Sequence, residues 1–326
     1  MGSTHLGVYS ELPGVEVAAV CSQTAESLTG NLANVGGNLN RPARNYDFSN
    51  MRRYRDWRLL IEDPSLDAID ICLPTYLHAE IAVASLRAGK HVLCEKPMAL
   101  SSHACAEMLR TAESGSRVLM IAHVLRFWPE YNFLEQFVKN GSYGRVLSAT
   151  FYRRCGVPDW SAWLPDESQS GGAVLDLLSH DIDQALRLFG TPARLAAKSM
   201  GGLDTLMASL IYPGGPEVRI QGGWFAPATP FSMSFHVRAE RAELEWRSNG
   251  LFLSDVTGKQ TQIELPAEDA YRSEIAYFLE CCLQGKQPDR CPPLDSARAV
   301  IVAELLRESR NGNGAQLLYR APQLLA

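Results

Sequence analysis

Between residues 68 and 122 the chain alternates short, almost wholly apolar runs (68–73, 91–94 and 117–122) with helix-like stretches at 77–88 and 102–114. The stretch 77–88 carries Ile81, Val83, Ala84 and Leu86 on a broad apolar face and stops at Arg87-Ala88-Gly89-Lys90, a cationic last turn followed by glycine. A further apolar strand at 15–20 and a helical stretch at 56–62 precede them. Near-continuous apolar strands, each followed by a helix, require a parallel sheet covered on both faces. The predicted fold is α/β, with an N-terminal, doubly wound, Rossmann-like sheet.

The rhythm changes after residue 123. A helix at 131–139, a strand at 145–152 and a strong helix at 173–189 are followed by mostly extended chain. Strands at 205–212, 217–224, 232–239 and 243–247 are separated by turns such as Pro213-Gly214-Gly215-Pro216 and Ser248-Asn249-Gly250. Consecutive strands with short turns predict a large, mostly antiparallel open sheet in an α+β domain. Helices at 270–283 and 295–309 close the chain. The two domains are read as 1–123 and 124–326.

Composition narrows the function. The net charge of −5, without any Lys/Arg-rich block, gives no footprint for nucleic acid. No apolar run reaches the ~18–20 residues of a membrane span, so neither partner is expected. The eight cysteines are scattered, several within apolar segments, and no CxxC pair occurs. Reduced thiols in a cytoplasmic chain are expected, without disulfides or a zinc site.

The stretch IDICLPTYLHAEIAVASLRAGKHVLCEKPMAL ends one strand in Leu73-Pro74-Thr75 and runs the next into Glu95-Lys96-Pro97. Further on come Arg126-Phe127 with Pro129, the Gly141 to Gly144 turn, and GGAVLDLLSHDIDQALRLFG. In this order these segments resemble the Gfo/Idh/MocA family, the oxidoreductases named after glucose-fructose oxidoreductase and inositol dehydrogenase, over essentially the whole chain. The resemblance implies that Lys96 is the catalytic lysine and that Asp176 and His180 act with it. It implies NAD or NADP as cofactor, with contacts from Gly2, Ser22, Pro74, Thr75, His78, Glu95 and Lys96. Substrates would be sugars, cyclitols or related polyols, and the assembly a homodimer or homotetramer packed through the open sheet.

The residues support this chemistry on their own terms. In an open parallel sheet, ligands bind beyond the carboxyl ends of the strands, where Thr75 and Lys96 sit. A lysine there can hydrogen-bond a substrate hydroxyl and help move its proton as hydride leaves the same carbon. The competing reading is a solvated surface lysine. On a continuous helix 173–189, Asp176, His180 and Asp183 fall at i, i+4 and i+7 and share a face. His180 suits proton transfer near neutral pH, and Asp176 could orient it or bind hydroxyls. A metal site or a purely structural cluster could use the same three side chains. Asp183, Arg126 and Trp163 (with Trp160) are candidate substrate contacts, the tryptophans by stacking on a sugar face, and Arg126 could instead approach the cofactor. At the ribose-reading position stands Ser22, followed by Gln23 and Thr24, so no carboxylate repels a 2′-phosphate, yet no adjacent arginine pairs with one. The reading leans toward NADP tolerance.

The opening MGSTHLGVYSELPGVEVAAVCS matches only the end of the family's strand–GxGxxG–helix pattern. Gly2 stands for the third glycine and His5 for the histidine beyond it. The first strand, central in the order 3-2-1-4-5-6, and two glycines are missing from this stretch. The second and fourth strands should therefore face a gap. Met1 as an internal start of a longer protein is the preferred expectation; a filling segment or subunit, or a truncated pseudo-enzyme, are the others. Two further functions compete with the dehydrogenase: a glycosidase that oxidises its substrate transiently on bound NAD, and a non-catalytic ligand sensor on the same fold.

Overall fold

The computed structural model describes residues 1–32 and 45–320. Helix α1 (Gly2–Tyr9) leads to strand β1 (Ala19–Cys21), which pairs in parallel with β2 (Arg52–Tyr54). Helix α2 (Trp57–Glu62) starts at Asp56, whose side chain accepts the Arg58 N–H. Then come β3 (Ala68–Ile71), α3 (His78–Arg87), β4 (His91–Glu95), α4 (Ser102–Gly115) and β5 (Leu119–Ala122). β3, β4 and β5 form one parallel sheet, with Ile71 beside Cys94 and Cys94 beside Ile121.

Side-chain alternation along these strands decides what covers each face. Val92, Cys94, Leu119 and Ile121 pack with Ile81, Leu86 and Met108 of α3 and α4. Leu93, Val118 and Met120 turn the other way, onto Val8 of α1 and onto Ile275 and Phe278 of α9 (Ala270–Gln284). The second face is thus covered by a helix from late in the second domain.

That domain begins with α5 (Pro129–Lys139) and β6 (Val146–Gly156). Short helices α6 (Glu167–Ser170) and α7 (Gly172–Asp176) precede α8 (Ser179–Phe189). Strands β7 (Arg194–Lys198), β8 (Asp204–Ile211), β9 (Glu217–Phe225), β10 (Ser232–Ala239), β11 (Ala242–Arg247), β12 (Gly250–Asp255) and β13 (Gln260–Ile263) follow. After α9 come α10 (Pro293–Asn311) and β14 (Leu317–Leu318). The nine-stranded sheet runs β13-β12-β11-β10-β6-β9-β8-β7-β14, antiparallel except where β6 meets β9. No helix among the described residues is long and apolar enough to cross a membrane, and all eight cysteines are free.

Two expectations change and one holds. The strand expected over 15–20 is only Ala19–Cys21, and its residues are half-buried, because it pairs with β2 alone. The two parallel sheets share no hydrogen-bonded strand, so the expected gap between β1 and β3 is present among the described residues. The helix expected over 173–189 is broken between α7 and α8: Leu178 adopts ψ −5, and the N–H groups of Leu177 and Leu178 both reach the Ala173 carbonyl. Asp176 and Asp183 therefore lie on different helices. β2, β7, β12, β13 and β14 were not anticipated as individual strands, although the region holding β7, β12 and β13 was expected to be mostly extended.

Beneath α8, Arg153 of β6 holds Asp181 through Nε at 2.7 Å and Nη2 at 3.1 Å, with both side chains buried. Removing one member of such a pair leaves an unpaired charge in the core. R153M is expected to cost about 3–5 kcal/mol in urea denaturation, and the double variant R153M/D181L to recover most of it. A double variant no more stable than R153M would show that packing, rather than the unpaired carboxylate, sets the cost.

Candidate active site

The rim of the parallel sheet and the start of α8 meet at Lys96. Its Nζ donates to the Asp176 backbone carbonyl at 2.7 Å and lies 3.2 Å from Asp176 Oδ1. Both side chains remain partly open, at 15% and 17% exposure, which leaves room for a substrate to reach them. Lys96 follows β4 directly, its N–H donating to Glu95 Oε2 at 3.1 Å, and its peptide bond to Pro97 is cis. The Asp176 carbonyl, freed where α7 ends, also accepts from Ser179 Oγ at 3.2 Å.

The other end of α7 is fixed by Asp204, whose Oδ2 accepts the Ala173 N–H at 2.6 Å and whose Oδ1 pairs with Arg310. Gly171 and Gly172 permit this approach: both have φ above +70, and a Cβ on Gly172 would come within 2.5 Å of the Asp204 carboxylate. Asp176 is thus positioned from both ends of a short helix.

His180 is the second residue of α8. Burial, then the positive charges of Lys96 and Arg153, hold it well below the usual histidine range, so its ring is neutral. Its Nδ1 is buried without a partner, as are Thr75 Oγ1 and both ring nitrogens of His123. His123 immediately follows β5 and is another strand-end residue; its Nδ1 lies 3.7 Å from Asp183 Oδ2. The sequence reading missed it, although its place after an apolar strand was the available signal.

Other expected site residues are engaged elsewhere. Arg126 and Asp183 form a bidentate pair at 2.9 and 2.6 Å, each side chain 1% exposed, and Arg126 also reaches the Arg290 carbonyl and Asp295. Neither is open to a substrate or cofactor. Their pairing ties the segment after β5 to α8 and to the loop before α10. His78 has its two ring nitrogens 2.8 Å from the carbonyls of Pro97 and Leu73, so it braces the rim instead of facing a ligand. Glu95 is buried beside His5, whose Nε2 lies 3.2 Å from Glu95 Oε1 and whose Nδ1 is 2.8 Å from Asp70 Oδ2. Trp163 is half-buried against the cluster of Leu164, Ala173, Leu177 and Trp224, while Trp160 is exposed.

The residues at the rim fit a dinucleotide in part. Thr75 and Lys96 stand at the strand ends, and Ser22 follows β1, its N–H bonded to the Tyr54 carbonyl at 3.1 Å. At the phosphate position, the first turn of α1 begins at Gly2 with no side-chain cap. Among the described residues, the one group close enough to share a cation is His5, Cys72 and Glu95, within 4.8 Å of one another. There His5 already sits between Asp70 and Glu95, which supply its charge partners.

Comparison with known proteins agrees with this geometry. Residues 1–123 match the model of the Gfo/Idh/MocA oxidoreductase family with an NAD-binding Rossmann fold, and residues 131–245 match the Gfo/Idh/MocA C-terminal domain. The chain is 28% identical to D-xylose 1-dehydrogenase (NADP(+)) 2 of Haloferax volcanii, over 97% of each chain. It is 36% identical to levoglucosan dehydrogenase of Pseudarthrobacter phenanthrenivorans over 45% of this chain and 39% of that protein. The match to D-glucoside 3-dehydrogenase of Escherichia coli is 37% identical and spans 37% of that protein. The latter two alignments therefore cover well under half of those relatives. A solved levoglucosan dehydrogenase in complex with NADH and levoglucosan superposes with a TM-score of 0.82 at 18% identity, covering 98% of this chain and 97% of that one; it has the same fold.

Burial also depresses His78 and His123, as it does His180. Once the pH drops below about 6.5, the unfolded chain binds protons that these folded, neutral rings do not, so stability falls with acid. His5 runs the other way: burial lowers it, but Asp70 and Cys72 raise it well above the usual range. Its contribution is complete below about pH 6.5 and is lost as pH rises through its raised folded value. Below about pH 6.5 His5 is protonated in both states and adds no slope, while His91, depressed by burial and by Arg117, acts with the other three rings, so the urea midpoint is expected to fall between about pH 6.5 and 5. H180N should flatten that fall; an unchanged slope would remove His180 from the set.

Proposed function

The chain belongs to the Gfo/Idh/MocA family of oxidoreductases, and on that premise we propose that it is an NAD(P)-dependent dehydrogenase. It would transfer hydride between nicotinamide and a secondary alcohol carbon of a sugar, cyclitol or related polyol. The observation that carries the reading is Lys96 held on Asp176 with a neutral His180 one turn beyond.

Bound nicotinamide would supply the hydride acceptor; the chain's own part is to orient the alcohol and manage its proton. The Lys96 ammonium has three donors, of which the Asp176 carbonyl and carboxylate engage two, leaving one for the substrate oxygen. That hydrogen bond favours the alkoxide-like oxygen developing as the C–H bond weakens. The neutral imidazole of His180 takes the hydroxyl proton and returns it in the reverse direction. Asp176, fixed by Asp204 through α7, sets where the lysine points. Its second carboxylate oxygen is available to accept from a neighbouring hydroxyl, which suits a polyol better than a simple alcohol. Trp163 and Trp160 are the aromatic surfaces proposed to pack on such a ring. The named sugar dehydrogenases among the relatives support this substrate class. We further propose assembly as a homodimer or homotetramer through the open face of the nine-stranded sheet.

Reduced nicotinamide formed from a panel of aldoses, glycosides and inositols tests the reading. K96M and H180N are each expected to lose about 10²–10⁴-fold in kcat, while dinucleotide binding survives in H180N. Turnover retained in K96M would remove the lysine from the chemistry. A wild-type chain that neither binds dinucleotide nor oxidises any polyol would end the dehydrogenase reading.

A further inference from the structure

β1 and β2 are parallel and in register, with Cys21 beside Tyr54, so the turns after both strands open on one rim. The turn after β1 is rich in hydroxyls. Ser22 Oγ lies 3.3 Å from Thr24 Oγ1 and accepts the Thr24 N–H at 3.3 Å, and Thr24 Oγ1 donates to Ser27 Oγ at 2.7 Å. Arg55, the residue after β2, leans across to this turn and donates from Nη2 to the Gln23 carbonyl at 2.7 Å. Thirty-two residues separate Arg55 from Gln23, so the sequence reading, which looked for an arginine adjacent to Ser22, did not see it.

Two features favour an anion here. Arg55 is exposed, and one carbonyl takes only one of its five N–H groups. The neighbouring carboxylate, Asp56, is committed: it caps α2 through the Arg58 N–H at 3.0 Å and lies 3.3 Å from Arg58 Nη1. Glu26, in the same turn, is exposed to solvent, where its charge is screened. The end of the second Rossmann strand reads the adenosine ribose: a carboxylate there binds the 2′-OH of NAD, and a nearby arginine accommodates the 2′-phosphate of NADP. Here the carboxylate position is serine. The planar guanidinium offers paired donors that match phosphate oxygens; Ser27 Oγ, which accepts from Thr24, keeps its own O–H to donate to them, and Ser22 and Thr24 donate by turning their O–H groups out of the bonds they make to each other and to Ser27.

We infer that Ser22, Thr24, Ser27 and Arg55 form a binding site for the 2′-phosphate of NADP(H), which makes the phosphorylated dinucleotide the preferred cofactor. This rests on the dinucleotide-binding reading above and adds a direction to it. The alternative use of Arg55, as a tie between two loops, requires only the Gln23 contact and predicts no preference between the two dinucleotides.

Calorimetric titration of the full chain with 2′,5′-ADP and with 5′-AMP separates these cases without requiring turnover. The expected result is at least about tenfold tighter binding of 2′,5′-ADP, with the advantage shrinking as salt rises. R55A should weaken 2′,5′-ADP by about 10- to 100-fold and leave 5′-AMP unchanged. S22D, which restores a ribose-binding carboxylate and repels phosphate, should reverse the preference. Circular dichroism checks that both variants remain folded, which the exposure of Arg55 and the half-buried position of Ser22 favour. Equal affinity for the two ligands, or a preference that survives R55A, would overturn the 2′-phosphate site alone. Failure to bind either ligand would overturn the dinucleotide-binding reading with it.

Discussion

The site depends on one carbonyl group. Where α7 gives way to α8, the Asp176 carbonyl leaves the helical ladder and accepts from Lys96 Nζ and Ser179 Oγ. A helix end carries such open carbonyls as a matter of geometry, and a buried one needs a donor. The lysine from the first domain meets that need and is itself fixed by it. One contact therefore fixes the Lys96 ammonium, ends a helix and joins two domains. A continuous helix would have satisfied the carbonyl internally and left Lys96 with the Asp176 carboxylate alone.

Around that contact, the charged groups inside the protein divide into paired and neutral ones. Arg126 with Asp183 and Arg153 with Asp181 are closed pairs, buried and bidentate, that hold α8 against the segment after β5 and against β6. Groups of this kind are costly to bury singly and tolerable together. The histidines at the rim are kept neutral by the same burial, with Lys96 and Arg153 adding to it at His180. A neutral imidazole beside an ammonium is a suitable arrangement for accepting a proton while its neighbour stabilises negative charge.

Much of this was legible in the sequence, and the rest was hidden for identifiable reasons. Apolar strands followed by amphipathic helices sufficed for the parallel sheet, and Lys96 at a strand end followed from that. Short strands with turn residues sufficed for the antiparallel sheet. The break after Asp176 was not legible, because residues 175–181 contain no glycine or proline and tertiary contacts end the helix. Arg126 and Asp183 were read as ligand contacts because each was considered singly; their pairing spans 57 residues and appears only in three dimensions. Arg55 was missed for the same reason. Nor could periodicity show that α9 returns to cover the first domain, since an amphipathic helix does not name the surface it packs on.

The division of the parallel strands into two sheets has a consequence for motion. β1 and β2 are joined to each other by only three residue pairs and share no ladder with β3, β4 and β5. The small sheet is also half-buried or exposed throughout, whereas the strands of the larger one are mostly sealed in the core. Amide protection should follow that split, with the β1–β2 lobe opening at a fraction of the free energy that unfolds the rest. The turns at Ser22 and Arg55 ride on this lobe. A phosphate bridging them would add its binding free energy to a unit with little stability of its own, so occupancy there would register first as slowed exchange in the lobe.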